Sequence, residues 1–291
     1  MDPLMTEVAV TDGPSPTVRR RQLGMELRRL RDAADKHQNE TALWLGIPAT
    51  SVSKMENGKQ RVSQAYLKLL LQLYEVGSPH AEALHQLRKE SDQRGWWADY
   101  GNTVPKWFAN YVGMETVAAE VWNYEAELIP GLLQTPEYTE AITIAMNPTD
   151  ANEVKKFVEL RAVRQQRLTG DEPLILRTVI NEAALRREVG GPDVMRDQLT
   201  RLIEAAALPN VTVQLLPFSA GAHPGMFGPF HALRFPEEPM NTVYVELDGG
   251  ALYLERPSEI KRYTRTFNRL AGLALSEADT VKLLKEARRR S

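Results

Sequence analysis

Apolar residues recur at helical spacing along the first third of the chain. Leu23, Leu27, Leu30 and Ala34 follow i, i+4, i+7 and i+11, with Arg20, Arg28, Arg29 and Arg31 elsewhere around the cylinder. That pattern predicts an opening helix over residues 18–34. Ala42 and Leu45 lie three apart on a short second helix, and Gly46 stands where the chain must turn sharply. Beyond the turn Ile47 is apolar, Pro48 favours a helix start, and Val52 with Met55 form the stripe that docks one side of a third helix. Gly58 suits a left-handed stop. Ser63 can cap a fourth helix, with Leu67, Leu70, Leu71 and Tyr74 as its apolar face, before Gly77-Ser78-Pro79 ends it. These elements predict a helix-turn-helix bundle over residues 17–76. Residues 77–94, with Ala81, Leu84 and Leu87 on one face, read as a helical connector acting as a lever between domains.

The pattern changes at Gly95. Trp96, Trp97, Tyr100, Trp107, Phe108, Tyr111, Trp122 and Tyr124 crowd a short span, as in an aromatic core or the wall of a ligand pocket. Residues 173–180 (PLILRTVI) read as a β run, 182–187 as the start of a helix, and 194–207 as a helix with Met195, Leu199, Leu202 and Ala206 along one side. Val211, Val213 and Leu215 alternate in a strand over 210–217, and further strands are expected at 230–235, 242–247 and 251–254. A long helix over 260–275 carries Tyr263, Phe267, Leu270 and Leu273. The order β-α-β-β-β-α predicts an α+β regulatory domain, a mixed sheet with helices, over residues 95–291. The expected fold class is therefore a mainly α bundle followed by an α+β domain. Residues 1–16, which hold Asp2, Pro3, Asp12, Gly13, Pro14 and Pro16 without periodicity, are expected to be a disordered arm.

The third helix buries only its Val52 and Met55 side. Ala49, Thr50, Ser51, Ser53 and Lys54 occupy the other side, and these residue types reach base edges and phosphates in a major groove without clashing. Asn57, Lys59 and Arg61 follow as donors to the phosphate backbone. Charge supports the reading. The formal net charge is −2, yet residues 17–61 hold ten Lys and Arg against five Asp and Glu, so one end of the chain is basic.

Residues 38–59 (QNETALWLGIPATSVSKMENGK) resemble the lambda-repressor and Cro type of helix-turn-helix, the xenobiotic-response-element family. Gln38 matches the glutamine that opens that family's first helix, Gly46 its turn, and Val52, Glu56 and Gly58 the core and stop of its recognition helix. Thr50, Ser51 and Lys54 fall where the family contacts DNA. The sequence departs from the pattern at His37, Thr41, Trp44 and Pro48. The second half resembles the C-terminal domain of actinobacterial regulators of the Scr antitoxin-like and WhiJ-like kind. The resemblance runs through Trp96-Trp97, PGLLQTPEY (130–138), ELRAVRQQRL (159–168), NEAALRREVGGPDVMRDQL (181–199), LPNVTVQLLPFSAGAHPGMFGPF (208–230) and VYVE (243–246). It implies a transcriptional regulator, a repressor by preference, often encoded beside a small partner protein that relieves or modifies repression; the lack of Cys fits a cytoplasmic location.

Two classes of ligand or partner contact are expected in the second half. The loop over 219–229, with His223, Met226 and Phe227, is long enough to fold over a bound molecule. Arg161, Arg164 and Gln165 share one side of a helix and can meet an anion or an acidic partner, and Trp96 and Trp97 are further candidates. A single recognition helix reads few base pairs, so a homodimer on double-stranded operator DNA is expected. The rival reading is an antitoxin-like protein that sequesters a partner and autoregulates its operon.

An enzyme is not expected. There is no Cys, no phosphate-binding Gly-Lys loop and no paired His-carboxylate motif. The strand order resembles one half of a phospholipase-D-like domain, but Gly225 stands where those enzymes need a Lys two residues after the His. His223, His231 and Glu246 lack the spacing of metal ligands, so neither metal nor cofactor is expected. No run of eighteen apolar residues occurs and the first fifteen residues lack a basic start, so neither a membrane span nor a signal peptide is expected.

Overall fold

A computed structural model describes residues 15–146 and 150–290. The expected disordered arm lies outside the described residues, except for Ser15 and Pro16, which open the first helix. The chain forms two compact units that divide between Ala98 and Asp99.

The first unit is helical. Its elements are α1 (Pro16–Ala33), α2 (Gln38–Leu45), α3 (Ala49–Glu56), α4 (Gln64–Leu73) and α5 (His80–Ser91). Pro16 occupies the first turn of α1, where its missing N–H removes no hydrogen bond. The Glu40 carboxylate accepts from the His37 N–H at 2.7 Å and fixes the start of α2, and Ser63 Oγ accepts from the Tyr66 N–H at 3.1 Å and caps α4. Gly46 ends α2 at φ 66°, ψ 34°, and there the Ile47 N–H returns to the Ala42 carbonyl. Leu23, Leu27, Ala42, Leu45, Val52, Met55, Leu67 and Leu70 form one core, as the apolar periodicity predicts.

That core also contains Leu84 of α5. The helix expected to act as a connector is thus the fifth helix of the bundle. It lies along α1, and Arg19 pairs with Glu90 at 3.1 Å. Burial of Leu84 decides the difference, because a free lever has no core to bury it in.

The second unit contains α6 (Lys106–Glu115), β1 (Glu120–Glu125), α7 (Pro136–Met146), α8 (Ala151–Gln165), β2 (Ile175–Asn181) and α9 (Ala183–Arg186). It continues with α10 (Pro192–Ala205), β3 (Val211–Leu216), β4 (Phe230–Arg234), β5 (Thr242–Leu247), β6 (Gly250–Leu254), α11 (Pro257–Leu273) and α12 (Glu277–Arg290). The six strands form one mixed sheet in the order β3-β2-β1-β4-β5-β6. β1, β2 and β3 run parallel, and β4, β5 and β6 continue from β1 as an antiparallel meander. The central strand β1 lies inside the aromatic stretch and adds a sixth to the five strands that the sequence pattern predicts. Its sequence, EVWNYE, is buried on both faces, so the period-2 alternation that marks a half-exposed strand is missing.

Register separates the two faces of the sheet. Tyr124, Val179, Phe230, Ala232 and Val243 point to one side and pack with Phe267 and Leu270 of α11. The opposite face is polar along its middle. Thr178, Asn123, His231, Tyr244 and Tyr253 lie directly opposite one another in turn across β2, β1, β4, β5 and β6. Their neighbours on that side come from α6 and α8. Among the described residues no helix is long and apolar enough to cross a membrane.

Candidate functional site

The outer side of α3 is held from behind by a buried ionic knot. Arg31 of α1 donates from Nε to Glu56 Oε1 at 2.6 Å, and Gln38 of α2 donates to Glu56 Oε2 at 2.7 Å. Arg31 Nη1 also reaches the Lys36 carbonyl at 2.8 Å. The hydrogen bond that Arg31 donates to Glu56 raises the pKa of its guanidinium above the ordinary value. One carboxylate at the end of α3 therefore ties three helices together. Tyr74 lies 3.3 Å from the Thr41 hydroxyl, and burial pushes its phenol up to about 12.

Two glycines bring the backbones close. A Cβ on Gly24 of α1 would lie 2.5 Å from the Met55 carbonyl oxygen and 2.6 Å from that of Glu56, so only glycine allows α1 to cross α3 here. Gly58 adopts φ +67° directly after α3, against the backbone of Arg21.

This frame leaves Thr50, Lys54, Asn57, Lys59 and Arg61 exposed, and Ala49, Ser51 and Ser53 half-exposed. Lys54 and Arg61 have no ion-pair partner among the described residues. Two of the residues singled out from sequence are differently engaged. Gln38 has its amide N–H committed to Glu56, and Asn57 donates to the Ser53 carbonyl at 2.8 Å, closing the C-terminus of α3. Their first structural duty is to hold the helix that presents the others.

In the second unit the polar sheet face meets α6 and α8. Arg164 donates from Nε and Nη2 to the two oxygens of Glu115, at 2.7 and 2.9 Å, and both side chains are buried. Tyr111 donates to Glu115 Oε2 at 2.7 Å and lies 3.0 Å from His231 Nδ1, while His231 Nε2 is 3.2 Å from Glu125. Desolvation pushes the Glu115 carboxyl up, but the charge and hydrogen bonds of Arg164 outweigh it and hold the group below the usual carboxylate range. Burial, and then the charge of Arg164, push the Arg161 guanidinium down to about 10, so it stays charged at neutral pH.

The expectation that Arg161, Arg164 and Gln165 form an open row for an anion or acidic partner is corrected here. Arg164 is consumed by Glu115, Arg161 donates to Gln134 Oε1, and Gln165 donates to the carbonyls of Gly131 and Gln134 at 3.2 and 2.7 Å. All three face inward because the polar side of the sheet supplies the partners that the helix periodicity could not reveal. The buried Asn123 directs its amide N–H to Glu125 at 3.3 Å, which leaves its Oδ1 without a partner among the described residues. The cavity beside it, lined by Tyr111, Asn123, Gly131, Arg164 and His231, has about 10 Å³ of free volume, room for one water. A second cleft, between α9 and α12 beside Glu182, Arg186, Glu286 and Arg290, has about 170 Å³. Both fall below the roughly 300–1,000 Å³ of ordinary small-molecule sites.

The remaining candidates separate clearly. Trp97 is buried and meets Trp96 edge-on at 6.0 Å, with its ring so close to Gly95 that a Cβ there would overlap it. The loop over 219–229 is held against the sheet on one side. Its inner side is anchored, with Gly225 packed on the Tyr124 ring and donating its N–H to His223 Nδ1 at 3.2 Å. Desolvation lowers the pKa of His223. Its outer side exposes Met226 and, completely, Phe227, with Phe218 exposed just before it. Among the described residues no group of three or more His, Asp or Glu is placed to hold a metal.

Residues missed in the sequence are Glu115, Asn123, Glu125, Gln134 and Tyr244. The one available signal was the spacing of Asn123 and Glu125, two apart and therefore on one face of a strand.

Residues 108–286 match the family model described as a domain of unknown function, DUF5753, and residues 22–92 match that of a helix-turn-helix domain. No curated protein and no solved structure matches the chain.

Proposed function

The chain belongs to the DUF5753 family, whose model covers more than half of it, and carries a helix-turn-helix domain that makes it DNA-binding; from this we propose a sequence-specific transcriptional repressor controlled through its C-terminal unit. The observation that carries the reading is the exposed side of α3 and the turn after it, where Thr50 and Lys54 on the helix and Lys59 and Arg61 beyond it stand exposed over a helix locked by Glu56. In this reading α3 enters the major groove, Thr50, Ser51 and Lys54 choose the bases, and Lys59 and Arg61 bind phosphates. The resemblance to lambda-repressor and Cro proteins supports the same assignment. One α3 reads too few base pairs, so the chain acts as a homodimer on a two-fold symmetric site, its half-sites about 34 Å apart.

For the signal, a small partner protein is the better reading than a small molecule. The exposed Phe218, Met226 and Phe227 on an anchored loop supply the apolar, aromatic anchor that protein interfaces use. The resemblance to Scr antitoxin-like and WhiJ-like regulators points the same way. An antitoxin-like protein that sequesters the partner, with operator binding as autoregulation, is the alternative supported by the same loop.

Selection of bound duplexes from a random pool, with and without the product of the neighbouring gene, tests the reading. An inverted repeat enriched by the chain alone and lost with the partner is expected. Enrichment of no sequence in either arm overturns it.

A further inference from the structure

The second unit segregates its charge. Residues 99–255 carry twelve Lys and Arg against twenty-two Asp and Glu, whereas residues 256–291 carry ten against four. The cations are therefore concentrated on α11 and α12, at the end of an acidic body. On α11 the exposed residues between 261 and 269 are Lys261, Arg262, Arg265, Asn268 and Arg269 alone. Lys261, Arg265 and Arg269 follow i, i+4 and i+8, so they line one side of the helix over about 12 Å. None of the three has an ion-pair partner among the described residues, although acids at neighbouring positions pair elsewhere, as Glu259 does with Arg256. The opposite side of the same helix buries Phe267 and Leu270 in the sheet, which fixes the row outward.

We infer that this row is a second nucleic-acid contact, which binds the phosphate backbone of duplex DNA without reading its sequence. The inference rests on the DNA-binding reading of the first unit. Three like charges at i, i+4 spacing repel one another, so the row works against the helix that carries it. A polyanion relieves that repulsion. A polyanion suits the row better than a protein partner, because residues 261–269 expose no apolar side chain, the exposed Leu273 following only at the last position of the helix, and nucleic-acid interfaces are polar and strongly positive. Linked to a helix-turn-helix on the same chain, even a weak phosphate contact gains from high effective concentration and slows release.

The test is the salt dependence of binding by the full chain to a random-sequence duplex, read by fluorescence anisotropy. Each phosphate contact adds about 0.9 to the slope of log affinity against log salt. Replacing the row, K261Q/R265Q/R269Q, is expected to reduce that slope by about 2 to 3. Between roughly 50 and 200 mM salt the variant then loses about 40-fold less affinity than the wild type. A control set that removes the same charge elsewhere on the unit, K106Q/K155Q/K156Q, is expected to leave the slope unchanged. Equal slopes for the wild type and the row variant overturn the inference while leaving the first unit's role intact, and so does an equal loss in the control set. A wild-type chain that binds no duplex overturns both readings. All six positions are exposed, so circular dichroism unchanged from the wild type is expected in both sets.

Discussion

Arg31 and Glu56 meet 2.6 Å apart between α1 and the end of α3, with side chains 9% and 3% exposed, and Glu56 also takes the amide of Gln38. An ion pair this deep makes a small net contribution when intact and leaves a costly charge when broken. Glu56→Ala is therefore expected to destabilise the first unit by about 3–5 kcal/mol. The double change Arg31→Met with Glu56→Leu should recover most of that loss. Hydrogen exchange of the α1–α3 amides in the full chain reads the effect on this unit alone. Equal protection in Glu56→Ala and the wild type would remove the knot from the account.

Gly24 sets the distance between α1 and α3. Its virtual Cβ falls on two backbone carbonyl oxygens, and no side-chain rotation can relieve the clash. Gly24→Ala should cost about 1–3 kcal/mol by forcing the helices apart, although alanine is the better helix former. Weaker operator binding together with a lowered unfolding temperature is expected. A stabilised variant would show that the helices separate at no cost.

Lys54 and Lys59 are both exposed, but only Lys54 lies on α3 itself. Lys54→Ala is expected to relax base preference at one operator position, at a cost of about 1–3 kcal/mol. Lys59→Ala should weaken specific and random duplexes alike and lower the salt slope by about 1. Affinities for a selected operator and its single-base variants distinguish the two. Identical profiles for both variants would dissolve the division of roles.

The first unit was legible because its signals are local. Gly46 and Gly58 punctuate the helices, Ser63 caps one, and Leu23, Leu27 and Leu30 keep helical period, so each helix and its buried face can be read from its own residues. The face of α5 that carries Leu84 is equally compatible with a connector in sequence, because amphipathicity shows that a face is buried but not against what. In the second unit β1 escaped notice since Val121, Asn123, Tyr124 and Glu125 are all buried, which erases the alternation of a surface strand. The polar chamber is written in the register between strands. Asn123 meets Thr178 and His231 only once β1 is placed between β2 and β4, and these partners come from segments about 55 and 108 residues away.

Glu115 and Arg164 put that chamber within reach of a pH measurement. Arg164 holds the Glu115 carboxyl below its ordinary value in the folded chain, so folding favours the ionised form. A carboxyl depressed on folding contributes stability that is fully present above its unfolded pKa of about 4.3 and is lost as pH falls through the lower folded value. Stability of the second unit should therefore fall below about pH 4, with protons taken up on unfolding. Glu115→Gln removes that titration and leaves Arg164 buried without its counter-charge, at a cost of about 3–5 kcal/mol at neutral pH. The two effects have opposite signatures. The variant should be less stable than the wild type at pH 7, and the gap should narrow as the wild type is acidified. Thermal unfolding of both chains between about pH 3 and 7 is the check, and a gap constant across that range would show that Glu115 does not bear the charge assigned to it.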